Sequence, residues 1–327
     1  MSYFSSENIN ITIILMQGNH TLKNCGIHIK HLETCKITGV GSASNVRVYT
    51  LQQNISFADT ATIYIENLTL IGRELLYTTP VLMFDYNQMK QSNDSYRLRF
   101  ITINGTEMKG ISILPVYTNR YFIIIVLANS IITNGSRLHL YSPFQTNGVK
   151  KDCVLQLRMT KCFLSNSYFF MHCESATVLI EDSTIIDMLP MGVQSGIHLF
   201  YSNISITGNA SLSNVTNGDH SAFISSTDSN VTITGYIAFS YNKITPIILY
   251  FSIITLSGNI TFLNNTGMNG GAIHTSTLTI AGNTRVYFYN NTATDTGGAI
   301  NFMLLKLLLN KHCQISSIYK LGVFTNC

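Results

Sequence analysis

One short pattern is written twice towards the end of the chain, and it limits the fold more than any other feature of the sequence. The segment LSGNITFLNNTGMNGGAI is followed by IAGNTRVYFYNNTATDTGGAI. Phe262 and Phe288 are 26 residues apart, and the glycine pairs that begin at Gly270 and Gly297 are 27 residues apart. A period of this length, with alternating apolar residues and Gly/Asn turns in each unit, predicts the stacked coils of a solenoid.

Each unit runs from an alternating strand to a phenylalanine, an Asn-Asn turn and a Gly-Gly-Ala-Ile segment. Alternation directs the phenylalanines inward, where we expect them to stack. Asparagine and glycine permit the positive φ angles of tight turns, and Ala-Ile then opens the next strand. The residues of this repeat motif are Phe239, Asn242, Phe262, Asn265, Gly270, Gly271, Phe288, Asn291, Gly297 and Gly298.

The pairing of F-x-x-N with G-G-A-I resembles the repeat of the chlamydial polymorphic outer-membrane proteins. The two halves of the motif are residues 262–265 with 270–273, and residues 288–291 with 297–300. The resemblance implies a right-handed parallel β-helix that is displayed at a cell surface and used for adhesion.

Alternating apolar residues and Gly/Asn turns recur over most of the chain, whereas helical periodicity is scarce. We therefore predict an all-β protein, a single right-handed parallel β-helix of the pectin-lyase-like type over residues 1–300. The pattern is less regular over about 73–150. Pro80, Pro115 and Pro143 in this section are expected in turns or loops, because proline cannot donate to a strand ladder.

Residues 301–327 begin with leucines at helical density, which favours either a capping helix over the last coil or a truncated end. No basic and apolar leader precedes the first strand, so we expect a fragment of a larger protein. The longest apolar runs, at residues 121–128 and 247–254, are too short to cross a bilayer, which needs about 18 residues. These runs are interpreted as buried strands, and no transmembrane segment is predicted.

The composition points to the surface of a cell. Only 11% of the residues are charged, against a typical value of about 25%. Asn, Ser, Thr and Tyr must therefore cover the outside, as is common in extracellular β proteins. The net charge of +4 is weak, so nucleic acid is not an expected partner. We predict an extracellular or cell-surface location, in the outer membrane if the protein is bacterial.

Fourteen N-x-S/T sequons occur in the sequence. They are either acceptors of N-linked glycans or a by-product of the Asn, Ser and Thr that the turns of a β-helix use. The candidate glycosylation sites are Asn54, Asn67, Asn104, Asn203, Asn230, Asn259, Asn264 and Asn290.

The seven cysteines fit either an oxidised chain with one unpaired thiol or a reduced chain. Local bridging among Cys153, Cys162 and Cys173 is an open alternative. Cys25 and Cys35 flank two histidines within 11 residues, but structural zinc sites use two ligand pairs separated by a longer loop. We therefore expect neither a metal ion nor a cofactor.

Two functions remain open. The first is a non-enzymatic surface or secreted protein that mediates adhesion by binding a cell-surface protein or glycan. The alternative is a polysaccharide lyase or glycoside hydrolase, which needs paired carboxylates or a bound calcium ion with an arginine base. The acidic groupings that such an enzyme would use are Glu181, Asp182, Asp187, and Asp219 with His220. Adjacent strand residues point to opposite faces, which disfavours Glu181 and Asp182 as a pair.

Overall fold

The architecture is a parallel β-solenoid, as the repeated pattern predicts. A computed structural model describes residues 9–22, 27–30, 32–51, 55–58, 60–72, 82–85, 97–116, 121–141, 154–189, 196–216, 222–309 and 314–317. These residues form strands almost throughout, with no α-helix and one 3₁₀ turn at Ala43–Asn45. None of them belongs to a helix long and apolar enough to span a membrane.

Each coil contributes a strand to three faces, and each strand pairs in parallel with its equivalents in the neighbouring coils. The first face contains Asn10–Leu15, Thr34–Gly39, Thr62–Glu66, Arg97–Asn104, Tyr121–Ala128, Val154–Thr160, Thr177–Glu181, the first halves of Asn203–Ser213, Asn230–Ser240 and Ile253–Leu263, and the second halves of Ile273–Ile280 and Ile300–Leu309.

The second and third faces complete each coil. The second face contains Gly18–Thr21, Val46–Leu51, Thr69–Gly72, Glu107–Lys109, Ile131–Thr133, Phe163–Ser165, Thr184–Ile186, the second halves of Asn203–Ser213, Asn230–Ser240 and Ile253–Leu263, Arg285–Tyr289 and Gln314–Ser317. The third face contains Ile27–Lys30, Ile55–Ala58, Leu82–Asp85, Ser112–Val116, Arg137–Tyr141, Tyr168–Glu174, Gly196–Phe200, Ala222–Thr227, Thr245–Tyr250 and the first halves of Ile273–Ile280 and Ile300–Leu309. Thr266–Asn269 and Thr292–Thr296 form a separate two-stranded sheet.

The interior consists of ladders of aliphatic side chains. On the first face Val178, Ile204, Val231 and Ile254 occupy equivalent positions in successive coils, and each is at most 2% exposed. Burial of one such side chain stabilises the fold by about 1.5–3 kcal/mol. Because every coil repeats the inward residues of its neighbours, the apolar core runs continuously along the solenoid.

Coils turn at three corners: the first corner follows the first face, the second corner follows the second face, and the third corner leads into the next coil. Three glycines stack at the first corner, Gly208, Gly235 and Gly258, with φ angles of 76°, 116° and 100°. The strands bend through these glycines without a break. A Cβ on Gly258 would lie 2.5 Å from the carbonyl oxygen of Gly235. Only glycine fits this column.

The irregular section of the sequence is more regular in the structure where it is described. Residues 97–116 and 121–141 form strands that continue all three faces. The expectation that Pro115 lies in a turn or loop is wrong, because it belongs to strand Ser112–Val116. Its pairing with Arg137–Tyr141 stops at Ile113, so the missing N–H of proline costs no ladder bond on that side. Pro80 and Pro143 lie outside the described residues.

The expected capping helix is also wrong where the structure describes this end of the chain. Ile300–Leu309 is a strand that pairs with Ile273–Ile280, and Gln314–Ser317 pairs with Arg285–Tyr289. Leucine favours helices, but helix propensity is a weak constraint, and a preformed parallel edge outweighs it by supplying backbone hydrogen bonds.

Substitution of Gly235 by alanine tests the glycine column. The added Cβ would collide with the carbonyl oxygen of Gly208, on top of the strain of a positive φ. We expect Gly235→Ala to lower the free energy of unfolding by about 2 kcal/mol or more, measured by urea denaturation. Gly18→Ala is the control, since Gly18 has a φ of 134° but no heavy atom within 4 Å of its Cβ. Equal losses in the two variants would contradict close packing at this corner.

Candidate functional site

The repeat motif encloses a ladder of buried asparagine side chains at the second corner. Asn242 is 1% exposed and Asn265 is fully buried. The Oδ1 of Asn265 accepts hydrogen bonds from the backbone N–H of Asn242 at 3.1 Å and from its Nδ2 at 2.8 Å. Asn291 Oδ1 accepts the same two bonds from Asn265, at 3.1 Å and 2.9 Å. The side-chain amide of Asn265 therefore bonds the corners of both the preceding and the following coil.

The phenylalanine three residues before each asparagine belongs to the same unit. The Nδ2 of Asn265 donates to the carbonyl oxygen of Phe239 at 2.9 Å, and the Nδ2 of Asn291 donates to that of Phe262 at 2.8 Å. The rings of Phe239 and Phe262 stack with centroids 4.9 Å apart, and those of Phe262 and Phe288 stack at 5.1 Å. The asparagine of each F-x-x-N segment thus bonds the phenylalanine backbone of the preceding segment, so the apolar stack and the polar ladder both connect adjacent coils.

The glycine pairs of the motif lie where coils approach most closely. Gly270, Gly297 and Gly298 have φ angles of 72°, 86° and 47°. The N–H of Gly271 donates to the carbonyl oxygen of Gly298. A Cβ on Gly271 would lie 2.5 Å from both N and O of Thr292, so this position excludes every larger residue without backbone movement.

Replacement of Asn265 by alanine should be among the most damaging single changes to the repeat. It leaves two buried donors of Asn242, the carbonyl oxygen of Phe239 and the Oδ1 of Asn291 short of a partner. Each unsatisfied buried group costs about 1–3 kcal/mol, so we expect a loss of at least about 3 kcal/mol in unfolding free energy. Asn259→Ala, at a half-exposed position of the same coil, should cost under about 0.5 kcal/mol. Similar denaturation midpoints for the two variants would refute the ladder.

The described candidate glycosylation sites lie at corners and at outward strand positions. Asn67, Asn264 and Asn290 have positive φ angles of 55°, 51° and 48°. The Nδ2 of Asn290 donates to the Oδ1 of Asn264 at 2.8 Å, and the Nδ2 of Asn230 donates to the Oδ1 of Asn203 at 3.3 Å. Asparagine therefore has a structural role at these positions, independent of any glycan. Glycosylation stays a prediction. Asn104 and Asn259 are half-buried, and Asn54 lies outside the described residues.

The carboxylates that a polysaccharide-degrading enzyme would use are engaged in other contacts. Asp182 accepts a hydrogen bond from a backbone N–H of the next coil at 2.8 Å, and Asp187 accepts one from an asparagine side chain at 2.5 Å. Glu181 forms an ion pair with an arginine of the preceding coil at 3.3 Å. Asp182 and Asp187 have positive φ and occupy different corners. Asp219 and His220 lie outside the described residues.

The cysteines that the structure describes are buried thiols. Cys35, Cys162 and Cys173 are unbridged, and burial raises the pKa of the Cys35 and Cys162 thiols. Cys35 faces the core, while Cys25, His31 and Cys153 lie outside the described residues. Within the described ranges no three His, Cys, Asp or Glu side chains are grouped to hold a metal ion.

The chemically most distinctive outer surface lies on the third face. His139, Phe170, His172, His198 and Phe200 belong to three neighbouring coils, and we call them the histidine–aromatic strip. The ring of His172 stacks on Phe170 with centroids 6.0 Å apart, and it lies 6.3 Å from His198 and 5.8 Å from Phe200. The sequence did not single out these residues. Their only sequence signal is placement at outward positions of strands 26–33 residues apart.

Two histidines of the strip, His139 and His172, have a pKa below that of an ordinary histidine. Burial lowers the pKa of His139, with Arg137 lowering it further. Burial and then the neighbouring His198 lower the pKa of His172. His274, three coils beyond His198 on the same face, has its pKa lowered by burial. Imidazole rings beside phenylalanine rings combine apolar area with hydrogen-bonding nitrogens, which suits ligand binding.

These histidines make stability depend on acidity. An ordinary histidine titrates at 6.5, and the folded chain binds a proton on His274 only at lower pH. The contribution of His274 to the free energy of unfolding is therefore fully present above pH 6.5. It falls as the pH drops below that value, because the unfolded chain takes up the proton first. We expect the thermal midpoint to fall on acidification from pH 7.5 to pH 5.5, and His274→Phe should reduce that fall. An unchanged pH profile in the variant would exclude His274 as a contributor.

The motif that builds the last coils is also recognised by comparison with known families. Residues 259–276 and 285–302 match the family model of the Chlamydia polymorphic membrane protein repeat. Comparisons with curated proteins and with solved structures gave no match. The matched segments contain the buried amides of Asn265 and Asn291 and the stacked rings of Phe262 and Phe288. Two segments of this parallel β-solenoid thus match the Chlamydia polymorphic membrane protein repeat, and they stack one on the other.

Proposed function

We propose that the chain is the rod of a surface-exposed or secreted protein that mediates adhesion by binding a cell-surface protein or glycan, without enzymatic activity. The observation that carries the proposal is the repeat match at residues 259–276 and 285–302, because that repeat belongs to membrane proteins of Chlamydia. The coarser statement, a surface-associated solenoid, follows from the repeat alone. The proposal adds two points to this statement: that the protein mediates adhesion, and that its partner is a cell-surface protein or glycan.

The outer surface supports a binding role. Charged residues make up only 11% of the chain, and the exposed aromatic side chains of the described residues include Tyr201, Tyr236, Tyr241 and Phe251. Four of the five side chains of the histidine–aromatic strip are half-buried, and the fifth, Phe170, is buried. Similar coils stacked in register present similar contacts side by side, so many weak contacts add up to avidity.

The disposition of the carboxylates weakens the enzymatic alternative. Glycosidases place two carboxylates about 5–10 Å apart across one bond of the substrate. Asp182 and Asp187 instead sit at opposite ends of strand Thr184–Ile186, each hydrogen-bonded within the solenoid. A lyase or hydrolase is the second candidate, and the next experiment separates it from a binder.

Removal of single coils distinguishes the two functions. Asn203, Asn230 and Ile253 occupy equivalent positions, so deletion of residues 230–252 excises one coil in register. We expect adhesion of the chain to cultured cells to fall in steps as coils are removed, with no release of reducing or unsaturated sugar ends by any variant. The matched control replaces Asp182, Asp187, Asp219 and His220 together and should adhere like the wild type. Sugar release by the wild type that this control abolishes would overturn the proposal.

A further inference from the structure

The third corner presents a group of exposed aromatic side chains. Tyr201 and Phe251 are 61% and 68% exposed, and Tyr250 is 38% exposed. Ile253, directly after the corner, is 46% exposed. Four large apolar side chains therefore meet the solvent within three coils, next to the end of the histidine–aromatic strip at Phe200.

The register of the coils sets the spacing of these rings. The backbone N–H of Tyr201 donates to the carbonyl oxygen of Thr227 at 3.0 Å. The backbone N–H of Asp228 donates to the carbonyl oxygen of Tyr250 at 3.1 Å. Tyr201, Asp228 and Phe251 thus occupy the same corner position in three successive coils. Parallel strands lie about 4.8 Å apart, so the backbones of Tyr201 and Phe251 are about 10 Å apart with Asp228 between them.

The fold does not need aromatic residues at this corner. Tyr201 and Phe251 have φ angles of 51° and 49°, which bulky side chains rarely adopt, whereas Asp228 meets the same requirement at 49° with a residue type suited to it. The corner itself is held by the residue that follows. Ser229 Oγ accepts the N–H of Ser202 at 3.1 Å, and Ser252 Oγ accepts the N–H of Ser229 at 3.0 Å. The two exposed rings therefore oppose the local backbone preference and add no contact to this ladder.

The polar groups between the rings define the chemistry of a ligand. Within residues 200–203, 227–230 and 250–253 the single formally charged side chain is Asp228. Its carboxylate repels phosphate, sulfate and uronate groups but accepts hydrogen bonds from hydroxyls. The exposed amides of Asn203 and Asn230 lie at the adjoining strand starts, joined at 3.3 Å. Aromatic platforms with acceptors and amides between them match the apolar faces and hydroxyl edges of a sugar chain.

We propose that Tyr201, Phe251 and Asp228 form a binding site for a neutral oligosaccharide that lies along the solenoid axis. Its sugar rings stack on Tyr201 and Phe251, and the hydroxyls of the intervening unit donate to Asp228. The proposal rests on the binding function proposed above and assigns it a ligand class and a location.

Asparagine at the two aromatic positions removes the rings while suiting the backbone. Tyr201→Asn, Phe251→Asn and the double variant should melt at the same temperature as the wild type or higher, because asparagine tolerates positive φ. Tyr236→Asn is the matched control, since Tyr236 is 68% exposed on another face. The unglycosylated full chain is titrated by calorimetry with cellohexaose, chitohexaose and mannohexaose, and with an acidic hexagalacturonate.

We expect the wild type to bind at least one neutral hexasaccharide and not the acidic one. Each single variant should bind about tenfold more weakly or worse, the double variant should not bind, and the control should be unchanged. Absence of neutral binding, preference for the acidic sugar, or full binding by the double variant would each overturn the site. Cell adhesion measured in parallel keeps the two proposals apart. Adhesion without oligosaccharide binding overturns the site alone, whereas a wild type that does not adhere overturns the proposed function.

Discussion

Backbone pairing between adjacent coils is the constraint on which the rest of this structure depends. In a parallel ladder each residue lies beside its equivalent in the next coil, so side chains of one kind are brought together in columns. Valine and isoleucine side chains form apolar columns. Asparagines such as Asn265 and serines such as Ser229 form polar columns, in which each side chain accepts a hydrogen bond from a backbone N–H. Buried polar groups need partners, and in these columns the backbone N–H finds its side-chain partner in the adjacent coil.

The sequence predicted side-chain orientation best where a residue type has a single structural role. Alternation placed Phe262 and Phe288 on the inside, and both rings are buried in a stack. The Asn-Asn pairs were harder to interpret, because both asparagines suit a turn. In the structure Asn264 takes the positive φ and is half exposed, while Asn265 turns inward and is fully buried. Which asparagine of a pair turns inward depends on contacts with the neighbouring coil, and these contacts cannot be deduced from the local sequence.

Features that arise from contacts between distant segments escaped prediction. The leucines after Ile300 are spaced as in a helix, but this segment forms a strand because it pairs with the edge of the previous coil. His139, His172 and His198 come together from three coils, and the segments that lead from the second face to the third differ in length between these coils. Without the register, nothing in the sequence indicates that their rings share one surface.

The stacking of Gly235 on Gly208, and of Gly258 on Gly235, has a consequence for how such a chain can change in evolution. A coil meets the same kind of junction above and below, so an in-frame duplication of the segment that encodes one coil creates no new type of contact. Every added copy lengthens the rod by about 4.8 Å and leaves its cross-section unchanged. The reach of the molecule can therefore vary by recombination between repeats, independently of the residues displayed on its sides.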